Sequence, residues 1–287
     1  MKLLTVSHQG LEQAAVRLPE GIVTMEAINA RSGTEWPTDT LRLVESGRLQ
    51  ELTRWLAGRS AAQLGDWPTL ASEEVVYAPL YRLPRKIWGV GFNYVADEAE
   101  LAEVDRAEEP VGFMKPDTSL IGYGDTVVIP PQSERVIAEA ELAIVIGRRC
   151  RDVSEAEASD CIAGYAAAFD IGADDIHRRN PRYLTRSKSF DTFFSLGPEL
   201  VTPEEIADLS QLVVATVCND EVVASKRAGL MRFQPAWIVA FHSQVMTLLP
   251  GDILLTGTPG AAVIRAGDTI ACRIDGFTPL VNVVGGP

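Results

Sequence analysis

The sequence predicts an α+β fold that is rich in β-strand, with a small α/β unit in front of a larger domain. The chain has 287 residues, more than one compact domain usually holds. Strand and helix patterns alternate before residue 75, whereas short apolar runs separated by Gly and Pro make up the remainder. We therefore expect a small N-terminal domain at residues 1–75 and a larger domain at residues 76–287.

The N-terminal unit begins with short strands and continues with helices. Strands are predicted at residues 3–6 and 21–25. Leucines at helical spacing predict two helices, at residues 39–47 and 49–57, and Gly58 is a typical stop after the second.

The larger domain is predicted to be mostly strand. Apolar runs bounded by turn residues predict strands at 87–90, 126–129, 141–146, 212–218, 253–256, 269–274 and 280–284. Helices are predicted at residues 154–161, where Ser154 and Glu157 fit a capping box, and at residues 237–247. The acidic segment 97–109, with Arg106 as its single basic residue, is either a solvated helix or a mobile lid.

Composition excludes several classes of function. A net charge of −13 argues against a nucleic-acid partner, because phosphate binding requires clustered basic residues. No apolar run approaches the length of a membrane span, and the N-terminus does not resemble a secretory signal. The four scattered cysteines are typical of reduced thiols, so we expect a cytoplasmic protein. With only three histidines, a metal would be held mainly by oxygen ligands.

Three carboxylates form a candidate metal site. Glu139 and Glu141 lie just before an apolar strand, and residues two apart in a strand point to the same face. Their like charges repel unless something compensates, as a divalent cation would. Asp170 ends a second apolar stretch. Three carboxylates completed by water suit Mg²⁺, Mn²⁺ or Ca²⁺.

Several motifs in a fixed order extend this pattern. They are VGFNY at 90–94, EPVGFMKP at 109–116, EAELAIVIG at 139–147, AGY at 163–165, KSFDT at 188–192, LGP at 196–198, MTL at 246–248, PGD at 250–252 and LTGTP at 255–259. Through these motifs the chain resembles the fumarylacetoacetate hydrolase family from about residue 86 to its C-terminus. The resemblance implies a mixed β-sandwich roll with flanking helices, a homodimer, and a small 2-oxo or 1,3-dicarbonyl acid as substrate.

The resemblance also implies roles for individual residues. It places Mg²⁺ or Mn²⁺, with Ca²⁺ as a substitute, on Glu139, Glu141 and Asp170. Lys188 corresponds to a lysine that stabilises negative charge on the substrate, and Gly257 and Thr258 correspond to residues that hold the substrate carboxylate. The implied reaction passes through a metal-stabilised enolate.

One departure from the family pattern leaves the reaction type open. Family hydrolases continue the Asn-Tyr motif with a histidine and a glutamate that activate water; here Asp97 replaces the histidine and Glu100 remains. Asp97 and Glu100 are therefore candidate catalytic residues that would act as a carboxylate pair in hydrolysis. Because a carboxylate is a weaker base than imidazole, we favour a reaction without activated water, namely tautomerisation, decarboxylation or dehydration. The remaining alternative is a metal-dependent ligand-binding homologue with little catalysis.

A second departure follows the metal aspartate. Asp174 stands where the family typically has arginine, so the surroundings of the site are expected to be negative. They would repel a dianionic substrate unless nearby arginines turn inward, and the candidates are Arg178, Arg179, Arg182 and Arg186. His177 is a candidate replacement base.

Overall fold

The computed structural model describes residues 1–71, 75–105 and 107–286, except for the side chains of residues 61 and 62. Arg106 of the acidic segment lies outside these residues. In the described part, the nine α-helices are Met25–Ser32 (α1), Thr40–Glu45 (α2), Leu49–Ala57 (α3), Ala61–Gly65 (α4), Glu98–Ala102 (α5), Glu155–Ala158 (α6), Asp174–Arg179 (α7), Leu184–Lys188 (α8) and Pro235–Val245 (α9).

The same described residues form eighteen β-strands. They are Lys2–His8 (β1), Leu11–Leu18 (β2), Gly21–Thr24 (β3), Val76–Tyr77 (β4), Ile87–Gly91 (β5), Val111–Lys115 (β6), Leu120–Ile121 (β7), Thr126–Val128 (β8), Val136–Ile146 (β9), Ile162–Ala173 (β10), Phe194–Leu196 (β11), Glu199–Val201 (β12), Val213–Cys218 (β13), Glu221–Arg227 (β14), Ile253–Leu255 (β15), Ala261–Ile264 (β16), Thr269–Ile274 (β17) and Leu280–Gly285 (β18).

The strands form two mixed sheets. The larger has 13 strands, with the central order β3-β2-β1-β12-β10-β9-β15-β5-β6. The smaller has the order β14-β13-β17-β18-β8. The predicted β-rich α+β fold is thus confirmed. Most predicted elements are also present, whereas nine of the eighteen described strands were not predicted, namely β2, β4, β6, β7, β10, β11, β12, β14 and β16.

The helix signals in the sequence were informative. The predicted helix at residues 49–57 matches α3, whose Leu49, Leu52 and Leu56 are buried. The capping box is present: the Ser154 side chain accepts from the Glu157 amide, and the Glu157 carboxylate accepts from the Ser154 amide. The helix predicted at 154–161 ends early, because α6 gives way to a 3₁₀ turn.

Strand β9 is buried on both faces over its second half. Leu142 and Ile144 pack into the core that includes residues of α9 and the five-stranded sheet. Ala143 and Val145, which point the opposite way, pack into the core that includes the N-terminal elements. The functional site described below lies on the second of these faces, nearer the start of the strand.

The N-terminal segment joins the larger sheet. Strand β1 pairs antiparallel with β12, and the buried Glu199 of β12 accepts hydrogen bonds from Arg17 Nε at 3.1 Å and Thr278 Oγ1 at 2.7 Å. A division into domains at residue 75 stays a prediction. None of the helices that the structure describes is long and apolar enough to cross a membrane.

Candidate active site

A cavity of about 290 Å³ opens among the ends of several strands of the larger sheet. Successive same-face residues of β9, namely Ile137, Glu139 and Glu141, line one wall. Val111 and Phe113 of β6 and residues from β10 line others. The apolar side chains are followed along β9 by charged ones, so the cavity has both apolar walls and a charged region.

The three predicted carboxylates all line this cavity. Asp170 lies directly opposite Glu139 in the antiparallel register of β10 and β9, and Glu141 lies opposite Ala168. The strand predicted at 141–146 begins too late, because β9 spans Val136–Ile146 and contains both glutamates. Pairing with β10 continues along the whole of β9, and this long-range contact outweighs the local preference of the charged residues.

Two lysines contact these carboxylates. The Lys188 ammonium contacts Glu139 and lies 2.5 Å from Asp170 Oδ2. Lys115 Nζ lies 2.6 Å from Asp170 Oδ1 and donates to the Ile171 carbonyl at 3.1 Å. Sequence reasoning gave Lys115 no role. Its strand position, two residues after the buried Phe113, is the signal that places it on the inward face.

The charges of this cluster do not balance. Burial, together with the Asp170 and Glu139 carboxylates, raises the pKa of Glu141 well above its usual value. Burial alone would raise the pKa of Asp170, but Lys115 and Lys188 lower it. Three carboxylates and two ammonium groups leave a formal charge of −1. Glu141 carries the excess, since among the described residues it has no cationic partner and its Oε2 accepts from the Gly257 amide at 2.6 Å.

The donor set suits a hard divalent cation. All three side chains offer carboxylate oxygens, which Mg²⁺ and Mn²⁺ prefer, and a cation would offset the excess charge on Glu141. As placed, however, no group of three His, Cys, Asp or Glu side chains in the described part of the chain could hold an ion. The Lys188 ammonium contacts two of the three carboxylates, so joint ligation would require this ammonium to move aside.

The predicted substrate-binding loop also reaches the cavity. Gly257 and Thr258 both line it. Gly257 has a φ of 89°, and a Cβ there would lie 2.9 Å from the Cβ of Asn93, so a side chain is excluded. The Thr258 hydroxyl donates to the Gly260 carbonyl at 3.0 Å. Their binding of a substrate carboxylate stays a prediction.

Asp97 and Glu100 are not among the described residues that line the cavity. Asp97 caps α5, where its Oδ1 accepts from the amides of Ala99 and Glu100 at 3.0 Å. The Glu100 carboxylate accepts from the Ala96 amide at 2.7 Å and from Arg232 Nη2 at 3.2 Å. Within the described part of the acidic segment only Glu98–Ala102 is α-helical. A base role for Asp97 and Glu100 stays a prediction and would require these contacts to break.

His177 and Asp174, by contrast, line the cavity from α7. The Asp174 Oδ2 atom lies 2.7 Å from the Nε atoms of both Arg135 and Arg178. Although partial burial opposes it, these two guanidinium groups lower the pKa of Asp174. The negative charge expected at this wall is therefore offset by two cations. The other arginines considered are exposed, namely Arg179, Arg182 and Arg186.

Comparison with known proteins adds to this geometry. Residues 86–285 match the family model described as fumarylacetoacetate (FAA) hydrolase C-terminal. The human protein named oxaloacetate tautomerase FAHD2B, mitochondrial, is 38% identical over 287 residues, covering 96% of this chain and 87% of that protein.

Two solved structures extend the likeness to the whole chain. A 5-carboxymethyl-2-hydroxymuconate delta-isomerase from Mycobacterium smegmatis is 30% identical, with a TM-score of 0.78 and coverage of 100% of this chain and 99% of that one. A maleylpyruvate hydrolase from Sphingobium sp. SYK-6, in complex with manganese(II) and pyruvate, is 27% identical, with a TM-score of 0.80 and the same coverage.

Proposed function

The chain is an enzyme of the fumarylacetoacetate hydrolase family, and on that premise we propose that it interconverts the keto and enol forms of a 2-oxo acid with the help of Mg²⁺ or Mn²⁺. The main observation behind this proposal is the set of side chains that line the cavity. Glu139, Glu141, Asp170 and Lys188 lie there together with His177, whereas Asp97 and Glu100 do not. A proton carrier is thus available, but the expected water-activating pair is not in place.

The proposed metal ligands are Glu139, Glu141 and Asp170. A bound divalent cation would act as a Lewis acid that polarises the keto oxygen and favours the enolate. The Mn²⁺ and pyruvate complex of the maleylpyruvate hydrolase supports this choice of cation and of substrate head group.

Lys188 is proposed to stabilise the developing oxyanion. Burial would lower the pKa of Lys188, but the carboxylates of Asp170 and Glu139 raise it above its usual value, so the ammonium form persists near neutral pH. A fixed positive charge stabilises an oxyanion more strongly at a buried position than in water. Gly257 and Thr258, which line the same cavity, are proposed to hold the substrate carboxylate.

His177 is proposed to carry the proton. Histidine is the side chain that most often transfers protons in catalysis, and His177 is half-buried in the cavity wall. A ring nitrogen would take a proton from C3 of the keto acid, and the electron pair of that C–H bond would form the C2–C3 double bond. The imidazolium would then return its proton to the oxygen at C2. The net change is an isomerisation that consumes no water.

C–C hydrolysis is the second candidate, and the likeness to a maleylpyruvate hydrolase favours it. Incubating the enzyme with acetylpyruvate in H₂¹⁸O distinguishes C–C hydrolysis from keto–enol interconversion. Hydrolysis would release acetate carrying ¹⁸O, with Asp97 and Glu100 as the water-activating pair. We expect instead no labelled acetate, and metal-dependent loss of enol absorbance when oxaloacetate is supplied. A binding protein without catalysis would give no labelled acetate and no loss of absorbance faster than a blank without protein, and would contradict the proposal.

His177→Asn tests the proton carrier in the same assay. Loss of a general acid–base group typically costs a factor of about 10² to 10⁴ in rate. The variant should still bind oxalate, a mimic of the 2-oxo acid head group, in the presence of Mn²⁺. Unchanged turnover would contradict the role of His177.

We further propose that the enzyme is a homodimer located in the cytoplasm. The human relative bears the word mitochondrial in its name, so the location proposed here differs from the one in that name. Analytical ultracentrifugation of the full chain tests the dimer, and a mass equal to one 31.1 kDa chain would contradict it.

A further inference from the structure

Tyr94 lines the cavity with a side chain that has no obvious structural need for its hydroxyl. The residue follows β5, and its backbone pairs with Met231. Its hydroxyl is buried and has no hydrogen-bond partner among the described residues. A buried hydroxyl without a partner costs free energy that phenylalanine at the same position would not. The hydroxyl therefore needs a partner that forms in another state of the site.

Glu141 is the group near Tyr94 that has too few hydrogen-bond donors. Burial, and secondly the Glu141 carboxylate, raise the pKa of Tyr94, so the two groups lie within electrostatic reach. Both side chains line the same cavity. The structure gives the Glu141 carboxylate one donor, the Gly257 amide. Since a buried carboxylate needs several donors when it is ionised, this set is incomplete.

Asn93 fixes the relative position of the two loops that surround Glu141. Its Nδ2 donates to the carbonyls of Phe233 at 2.9 Å and Thr256 at 2.8 Å. Asn93 therefore lies beside Gly257 in space and next to Tyr94 in the sequence. Of these two neighbours, Gly257 donates to Glu141. The Gly257 amide already donates to Glu141, and the Tyr94 hydroxyl on the other loop has no partner among the described residues that line the same cavity.

We propose that Tyr94 is a positioning residue for Glu141, and that its hydroxyl donates to the Glu141 carboxylate when that carboxylate binds a divalent cation. The inference rests on the proposed metal site. Hydrogen bonds to ligating carboxylates orient them, and their loss typically weakens metal binding about 10- to 100-fold. Tyr94 thus acts through Glu141 and does not itself contact the substrate.

The test compares two tyrosines in the full chain, with Mn²⁺ alone as the probe. For Tyr94→Phe we expect about tenfold weaker Mn²⁺ binding by calorimetry and an unchanged urea midpoint in chelator, because no hydrogen bond of the metal-free protein is lost. Tyr81→Phe is the matched control, since the buried Tyr81 hydroxyl donates to the Gly251 carbonyl at 3.0 Å outside the cavity. It should lower the urea midpoint and leave Mn²⁺ affinity unchanged.

Glu141→Gln separates failure of this inference from failure of the metal site. If Glu141→Gln abolishes Mn²⁺ binding while Tyr94→Phe binds Mn²⁺ as tightly as the unaltered protein, the role of Tyr94 is overturned and the metal site stands. If Glu141→Gln binds Mn²⁺ normally, both are overturned. A lower urea midpoint for Tyr94→Phe with unchanged Mn²⁺ affinity would make Tyr94 a packing residue, which also overturns the inference.

Discussion

Glu139 and Asp170 lie directly opposite each other on neighbouring antiparallel strands, and the ammonium of Lys188 contacts both carboxylates. Like charges in such a pair destabilise a sheet unless a cation offsets them. In this structure the cation is a lysine. The same two carboxylates are proposed to bind a metal, so the ammonium and the metal are expected to compete for them.

Lys188→Met tests this competition. Removing one partner of a buried ion pair typically costs about 3–5 kcal/mol, so the variant should unfold at lower urea in chelator. Mn²⁺ should recover much of the loss, because Glu139 and Asp170 become free to bind it. Lys86→Met is the control, since it breaks a pair with the buried Asp252 outside the cavity. If Mn²⁺ restored the stability of both variants equally, competition at Glu139 and Asp170 would be contradicted.

Asp97→Ala tests whether Asp97 is a catalytic base or a helix cap. Loss of an N-cap side chain costs about 0.5–2 kcal/mol, and here the effect should be confined to α5. Asp97→Asn preserves a capping oxygen and should be close to the unaltered protein. We expect both variants to keep their turnover of oxaloacetate within about threefold, because Asp97 lies outside the cavity. An equal, severe loss of turnover in both variants would identify Asp97 as a base.

Phe92→Gly should make the protein more stable and less active. Phe92 has a φ of 57°, which is strained for an aromatic residue, and its side chain is 74% exposed, so little burial is lost on removal. We expect a gain of about 0.5–1 kcal/mol in the free energy of unfolding. Because Phe92 also lines the cavity, KM for the substrate should rise. Lower stability would show that the side chain contributes packing that outweighs the strain.

Asp174→Asn should improve binding of substrates with two carboxylates. The change removes a negative charge from the cavity wall and releases Arg135 and Arg178 from their ion pairs. Since both arginines are largely solvent-exposed, the gain is limited to about 0.2–1 kcal/mol, or roughly 1.4- to fivefold in KM. KM for a monocarboxylic 2-oxo acid serves as the control and should not change. A gain that persists in 1 M salt would contradict an electrostatic origin.

The sequence predicted those features that depend on local pattern. The apolar runs, the leucine spacing of α3 and the capping box at Ser154 each reflect contacts within one element. The pair Glu139 and Glu141 was found for the same reason, since the two are two residues apart, whereas Asp170 was assigned to the site through the resemblance to the family. The length of β9 was missed because it depends on pairing with β10, and the β10 residue opposite Glu139 is Asp170, 31 positions away in the sequence.

The charge partners of the site were the least predictable part. Lys115 lies 55 residues from Asp170, and no spacing in the sequence relates the two. The same holds for Arg135 and Asp174, which are 39 residues apart. Asp97 shows the reverse: its local role as a cap is readable from Asp97-x-x-Glu100, whereas the resemblance to the family directed attention to catalysis.

The proposed function depends most on cation-dependent enolisation, and one measurement tests this step directly. Freshly dissolved enol-oxaloacetate is mixed with the enzyme, and loss of its ultraviolet absorbance is followed with Mn²⁺ and then with excess chelator, against an Mn²⁺ blank without protein. We predict acceleration well above the blank with Mn²⁺, a return to the uncatalysed rate in chelator, and no acceleration by Glu141→Gln under either condition. Full acceleration by protein from which all metal has been removed would contradict a cation-dependent enolisation.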